Sequence, residues 1–223
     1  MRLLLINPNT SAAVTDNLVA EALHHAADGT EIIGATAAFG APFITTPAQS
    51  STAAKAVVDL VDGLPDIYDA IILAAFSDPG LAEARALARV PVLGIAESAL
   101  LTARMIGPRF SIVTLGPAMR PLIEAAVRRA GCTDLLVDLH MLDTPDVAAD
   151  QVQEAYGATL AELCRAAAEG GEVSSIVLGG GPLAGLARHL NRTSAVPLLD
   201  GTACAVRHAE TLVALGAGRS GRT

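Results

Sequence analysis

The chain has 223 residues, 52% of them hydrophobic and 17% charged, with a formal net charge of −8. That is a globular composition, long enough for one large domain or two of roughly 100 residues, and it fits neither a disordered chain nor a coiled coil. An acidic balance without a Lys/Arg cluster argues against nucleic acid and anionic membranes as partners. Aromatics make up 3% with no Trp, which argues against a base- or sugar-stacking site. No apolar run approaches the ~18 residues of a membrane span, and the stretch Leu3–Ile6 is too short for a signal peptide. Cys132, Cys164 and Cys204, odd in number and without CxxC spacing, fit a reduced, cytoplasmic setting.

In chain order the pattern predicts strand 2–7, helix 10–27, strand 30–36, helix 47–63, strand 69–75, helix 79–88, strand 91–95 and helix 96–105. It continues with strand 109–114, helix 117–130, strand 134–140, helix 145–169, strand 174–179, helix 182–190, strand 196–199 and helix 201–215. Several strands are near-continuous apolar runs, as expected when helices cover both faces of a parallel sheet. Thr10 or Ser11 suits the cap of the first helix, and Pro79 and Pro182 suit the first turn of theirs. Strict alternation of β and α elements predicts an α/β, doubly wound parallel fold. Ligands of such sheets sit beyond the carboxyl ends of the strands. The loops at 7–10, 76–79, 114–117 and 179–182 occupy that position. The tail Gly216–Thr223 reads as frayed.

The second half of the chain is a diluted copy of the first. Ile71-Ile72-Leu73-Ala74-Ala75 followed by Pro79-Gly80-Leu81-Ala82 matches Ile176-Val177-Leu178-Gly179-Gly180 followed by Pro182-Leu183-Ala184. Val90-Pro91 matches Val196-Pro197, and Leu3–Asn7 echoes Phe110–Thr114, at offsets of 105 to 107 residues. Two similar halves facing each other would set equivalent strand-end loops across one cleft, with Ala75 and Gly180 as counterparts.

Asn7-Pro8-Asn9-Thr10-Ser11 offers amides, hydroxyls and helix N-terminal N–H groups to a small carboxylate or imide carbonyl, or it is an ordinary capping turn. Ser77 can donate to a substrate oxygen. Asp78 is a base or, better, a cap for the helix that follows it. Gly179-Gly180-Gly181-Pro182 lets backbone N–H groups approach an anion closely. Its spacing is wrong for a dinucleotide loop, and Pro182 removes one donor. Glu97 opens a helix, where a first-turn carboxylate is favoured anyway. His140 lies near a strand end. His24, His25, His189 and His208 fall on helix faces without metal-ligand spacing, so no metal site is expected.

Together, Asn7-Pro8-Asn9-Thr10-Ser11, Asp78-Pro79-Gly80-Leu81, Val92–Glu97, Phe110–Thr114 and Val196-Pro197…Asp200-Gly201 resemble the aspartate/glutamate racemase superfamily, most closely its hydantoin/allantoin racemase branch. The resemblance runs nearly end to end. It implies two pseudosymmetric, Rossmann-like halves, residues 1–96 plus 202–223 and residues 97–201, with the site between them. It also implies no cofactor, neither PLP nor metal, a small carboxylate, amino-acid derivative or cyclic ureide as substrate, and a homo-oligomer. In that family one cysteine from each half flanks the substrate's α-carbon; the matching positions here are Ala75 and Gly180. With thiols missing, Asp78, Glu97 and His140 are the candidate bases, and Asn9, Thr10, Ser11, Phe76, Ser77, Thr114, Gly180 and Gly181 the candidate substrate contacts. Racemisation, a thiol-free lyase, decarboxylase or hydrolase reaction at an oxyanion pocket, and non-catalytic binding of a small anion all stay open at this point.

Overall fold

The computed structural model describes residues 1–144, 147–170 and 172–217. The first half runs β1 (Arg2–Asn7), α1 (Ala12–His25), β2 (Glu31–Thr36), α2 (Pro47–Asp62), β3 (Ala70–Leu73), α3 (Leu81–Leu87), β4 (Val92–Gly94) and α4 (Ile95–Ile106). The second runs β5 (Phe110–Leu115), α5 (Arg120–Arg129), β6 (Leu136–Leu142), α6 (Val152–Glu169), β7 (Ser175–Gly179), α7 (Leu186–Leu190), β8 (Leu198–Asp200) and α8 (Gly201–Ala214). Each half builds a four-stranded, all-parallel sheet, in the orders β2-β1-β3-β4 and β6-β5-β7-β8. The same order in both sheets is the structural form of the internal repeat. Leu73 lies beside Gly94 in one and Leu178 beside Asp200 in the other, so Gly94 and Asp200 are equivalent. Residues 145–146 of the expected sixth helix and 218–223 of the tail lie outside the described residues.

The helix that follows each sheet's last strand covers the opposite sheet. Ala96, Ala99, Leu100 and Ala103 of α4 pack with Phe110, Ile112 and Val177 of the second sheet. Ala205, Val206, Ala209 and Val213 of α8 pack with Leu3, Leu5, Ile72 and Leu93 of the first. Small side chains on the inner faces let α4 and α8 lie against each other. Their first turns approach so closely that a Cβ on Gly201 would fall 2.8 Å from the Ile95 carbonyl oxygen. We propose the division at 96/97 and 201/202 as the half-domain boundary; it falls in the first turn of each crossing helix. Among the described residues no helix is long and apolar enough to cross a membrane.

In both halves a buried carboxylate ties the loop after the third strand to the helix after the fourth. In the second half Asp200 accepts from Thr202 N and Ala203 N of α8 at 2.8 and 3.3 Å, and from Gly185 N in the loop at 2.8 Å. In the first half the carboxylate comes from the loop: Asp78 accepts from Ala96 N and Glu97 N at 3.0 and 2.8 Å. Gly94 is glycine because a Cβ there would overlap that carboxylate. This corrects the expectation that Asp78 caps the helix next to it. α3 starts instead from Gly80 in the left-handed region (φ 76), without a side-chain cap. The expectation for the two prolines is also corrected. Pro79 lies in the turn before α3, and Pro182 lies in a 3₁₀ turn, Gly181–Leu183, ahead of α7. Ser11 does cap α1, accepting from Val14 N at 3.3 Å.

Complete burial lifts the Asp78 carboxyl to about 7, against the pull of its two N–H donors and of Arg129. The unfolded chain loses that proton near pH ~4, so between ~4 and ~7 the folded state binds the extra proton. This group therefore contributes stability that declines as pH rises through that window. Urea unfolding at both ends of it is expected to show wild type losing stability relative to Asp78→Asn as pH rises; a constant difference would contradict the assignment.

Candidate active site

Four strand-end loops meet in one hollow of about 50 Å³ between the halves. From the first half come Asn9 and the Ala74–Ser77 turn; from the second, Thr114, Leu115 and the Gly179–Pro182 turn. The two turns interlock. The Phe76 ring occupies the space a Cβ on Gly179 would need, and a Cβ on Gly181 would lie 3.3 Å from the Ala74 carbonyl oxygen. Ala75 and Gly180 thus stand on opposite walls of the same hollow.

Asn7, fully buried, orients the polar end of the first wall. Its Nδ2 donates to Asn9 Oδ1 at 2.8 Å, to Thr15 Oγ1 at 3.0 Å and to the Ser11 carbonyl at 3.1 Å. Its Oδ1 accepts from Asn9 N at 3.1 Å. Asn9 Oδ1 also accepts from Ser11 N at 2.9 Å. With Oδ1 taking both donors, Asn9 Nδ2 is left without a protein acceptor among the described residues, at the wall of the hollow. The backbone N–H groups of Ala75, Phe76, Ser77, Gly180 and Gly181 likewise have no acceptor among the described residues. Thr114 Oγ1 spends its proton on the Gly179 carbonyl at 2.6 Å, so toward a ligand it can only accept. Ser77 shares a hydrogen bond with Ser50 on α2, at 3.2 Å.

The remaining lining is apolar: Phe43 and Ile44 from the segment joining β2 to α2, and Met119 and Ile123 from the start of the α5 region. Among the described residues, no side chain lining this hollow is an acid, a base or a thiol. Hydrogen-bond donors in such a low-dielectric setting act strongly on developing negative charge. What they cannot do is carry a proton.

Several expected site residues lie elsewhere. Thr10 and Ser11 serve the backbone: Thr10 N bonds the Ala41 carbonyl at 3.1 Å, and Ser11 is the α1 cap. Asp78 is buried behind the turn with both carboxylate oxygens spent on α4, which corrects its reading as a base. Glu97 is corrected likewise, for it pairs with Arg85 outside the hollow. His140 sits on the edge strand β6, 3.5 Å from Asp138, and does not line the hollow. The three cysteines are buried away from it, and burial pushes Cys164 and Cys204 up to about 11 and Cys132 upward as well. Among the described residues no group of His, Cys, Asp or Glu could hold a metal ion. Sequence reasoning missed the Phe43–Ile44 strap. Its one signal was compositional, since Phe43 is one of only four phenylalanines in the chain.

Residues 3–209 match the family described as Asp/Glu/Hydantoin racemase. The chain belongs to that family. It is 33% identical over 221 residues to the hydantoin racemase of Paenarthrobacter aurescens, covering 97% of this chain and 92% of that one. The allantoin racemase from Klebsiella pneumoniae superposes with a TM-score of 0.93 at 38% identity, over 97% of this chain and 89% of that one. The allantoin racemase from Pseudomonas fluorescens does so with a TM-score of 0.89 at 33% identity, over 97% and 92%. The family fold is the pair of four-stranded parallel sheets described above.

Gly180 adopts φ 131 and ψ 137, a conformation L side chains rarely take. Space is not the obstacle there, because the nearest atoms to a Cβ would be 3.8 Å or more away. Glycine at this post therefore has a backbone reason.

Asn7→Ala removes a fully buried amide whose two N–H protons serve three acceptors and whose oxygen accepts one bond, and is expected to lower stability by about 2–4 kcal/mol. Urea unfolding checks this, and a loss below ~0.5 kcal/mol would show that Asn9 is oriented by something else.

Proposed function

We propose that this chain binds a small cyclic ureide of the hydantoin or allantoin type in the hollow and promotes loss of the proton from the ring carbon beside the carbonyl. Asn9 Nδ2 and the N–H groups of the 75–77 and 180–181 turns hold the carbonyl oxygen and take up the charge as it becomes an enolate. Hydroxide from solvent, not a side chain, takes the proton and becomes water, and water returns a proton to the enolate and regenerates hydroxide. Reprotonation from either face then racemises the ring carbon. The observation that carries this reading is the composition of the hollow: unpaired donors from both halves and, among the described residues, no titratable side chain in its lining. A well-placed oxyanion donor is worth about 3–4 kcal/mol, or 10²–10³ in rate, so a donor set without a base still accelerates a carbon acid. The membership of the racemase family and the hydantoin- and allantoin-racemase names of its relatives support the substrate class.

The hollow has room for roughly four waters, since each needs about 10–15 Å³. A cyclic ureide is larger. The Phe43–Ile44 strap, tied to the first half through Ala41 and lying against Gly116 of the second through Thr45, is the part that must shift to admit it.

Single enantiomers of hydantoins and allantoin incubated in D₂O test the proposal by NMR and polarimetry. Deuterium uptake at the ring carbon in step with loss of optical rotation, unaffected by iodoacetamide, is expected. Product formation without deuterium uptake would replace it with a lyase or hydrolase reaction. Binding with neither would make the chain a ureide binder.

Thiols placed at both posts are expected to add a faster, iodoacetamide-sensitive exchange. Because of the backbone at residue 180, Ala75→Cys should fold without loss while Gly180→Cys loses about 1–2 kcal/mol. Equal stability of the two single variants would contradict the glycine-specific conformation.

A further inference from the structure

We propose that Arg129, the last residue of α5, is a positioning residue for the first donor turn, acting across the interface between the halves. Its Nη2 donates to the Ser77 carbonyl at 3.3 Å. Among the described residues, and apart from the Glu97 N–H on the Asp78 carboxylate, it is the one hydrogen bond from residues 97–201 to residues 75–78. Arg129 forms no ion pair among the described residues, whereas Arg120 on the same helix pairs with Glu124. Its charge is left for the turn and for the neighbouring Asp78 carboxylate.

The geometry explains why such a grip matters. The Ser77–Asp78 peptide has its carbonyl on Arg129 and its N–H on the Ala75 carbonyl, at 2.9 Å. Asp78 itself stands at φ 48, in the left-handed region, where a side chain is disfavoured. Rotating that peptide would relax Asp78 and break the bond to Ala75, and with it the alignment of the Ala75, Phe76 and Ser77 N–H groups. Arg129 opposes the rotation from outside, Ser50 holds the Ser77 hydroxyl, and α4 holds the Asp78 carboxylate. The helix that follows the other donor turn also has a cross-half tie. Buried Glu21 on α1 accepts from Arg188 Nη2 on α7 at 3.2 Å, in the segment that follows Gly180 and Gly181. Basic residues in a helix's last turn also favour the helix dipole, but Arg128 supplies that charge equally and bonds no part of the turn.

The test compares Arg129→Gln and Arg129→Lys with Arg128→Gln, using backbone amide exchange in the ligand-free protein. Arg129→Gln is expected to speed exchange of the Asp78 amide roughly tenfold, with Arg129→Lys between it and wild type and Arg128→Gln unchanged. The thermal midpoint should move little in all three. Unaltered Asp78 exchange in Arg129→Gln would overturn the proposal, as would equal acceleration in Arg128→Gln. The consequence for ligand rests on the ureide reading above: hydantoin should bind Arg129→Gln about tenfold more weakly. If wild type binds no ureide, that reading fails while the exchange result still decides the role of Arg129.

Discussion

Two parallel sheets can enclose a site only if something fixes the distance between their strand ends, and here that is the crossing of α4 and α8. Each helix leaves its own sheet directly from the last strand and buries its apolar face on the other. Neither half can complete its core alone, so separating them would expose both helices' inner faces. Buried carboxylates then connect the crossing helices to the loops that form the site. Asp78 and Asp200 do this from opposite directions, and Gly94 and Gly185 supply the room and the N–H that each arrangement requires. The equivalence of Gly94 and Asp200 shows that a duplicated architecture keeps a connection while exchanging which side provides the charge.

The outcome is a pair of turns that line one small space and whose backbone donors have no acceptor among the described residues. Asn7 commits the acceptor of Asn9 and so leaves its donor, Thr114 gives its proton to the Gly179 carbonyl, and Phe76 seals Gly179. Of the candidate bases, Asp78 is spent on structure, and Glu97 and His140 stand outside. Negative charge developing on a bound carbonyl would be met by fixed dipoles that need no rearrangement, the condition under which such donors contribute most.

Much of this was legible in the sequence because it follows from local periodicity. Alternating apolar runs and Ala-rich helical stretches gave all eight strands, and the 105-to-107-residue repeat placed Ala75 opposite Gly180. What was hidden is long-range. Asp78 next to Pro79 reads as a local cap, yet its partners are 18 and 19 residues away on α4. Glu97 and His140 are the right residue types for catalysis, and nothing in their neighbourhood says that one pairs with Arg85 and the other sits on an edge strand. The Phe43–Ile44 strap lies between predicted elements, where no period exists to reveal which face it covers. The resemblance of motifs reached further than periodicity did, because the Asn7–Ser11 and Asp78–Leu81 segments carry a three-dimensional arrangement that composition does not.

The central claim is that donors stabilise the enolate while hydroxide, and no side-chain base, takes the carbon-bound proton. The pH dependence of ring-carbon deuterium exchange on a bound N3-alkylated hydantoin, which has no acidic imide N–H, tests it most directly, measured between about pH 7.5 and 9.5, above the titration of Asp78. The account predicts a rate that climbs in proportion to hydroxide, with no inflection. A plateau or a bell would place a titrating side chain in the reaction and contradict it.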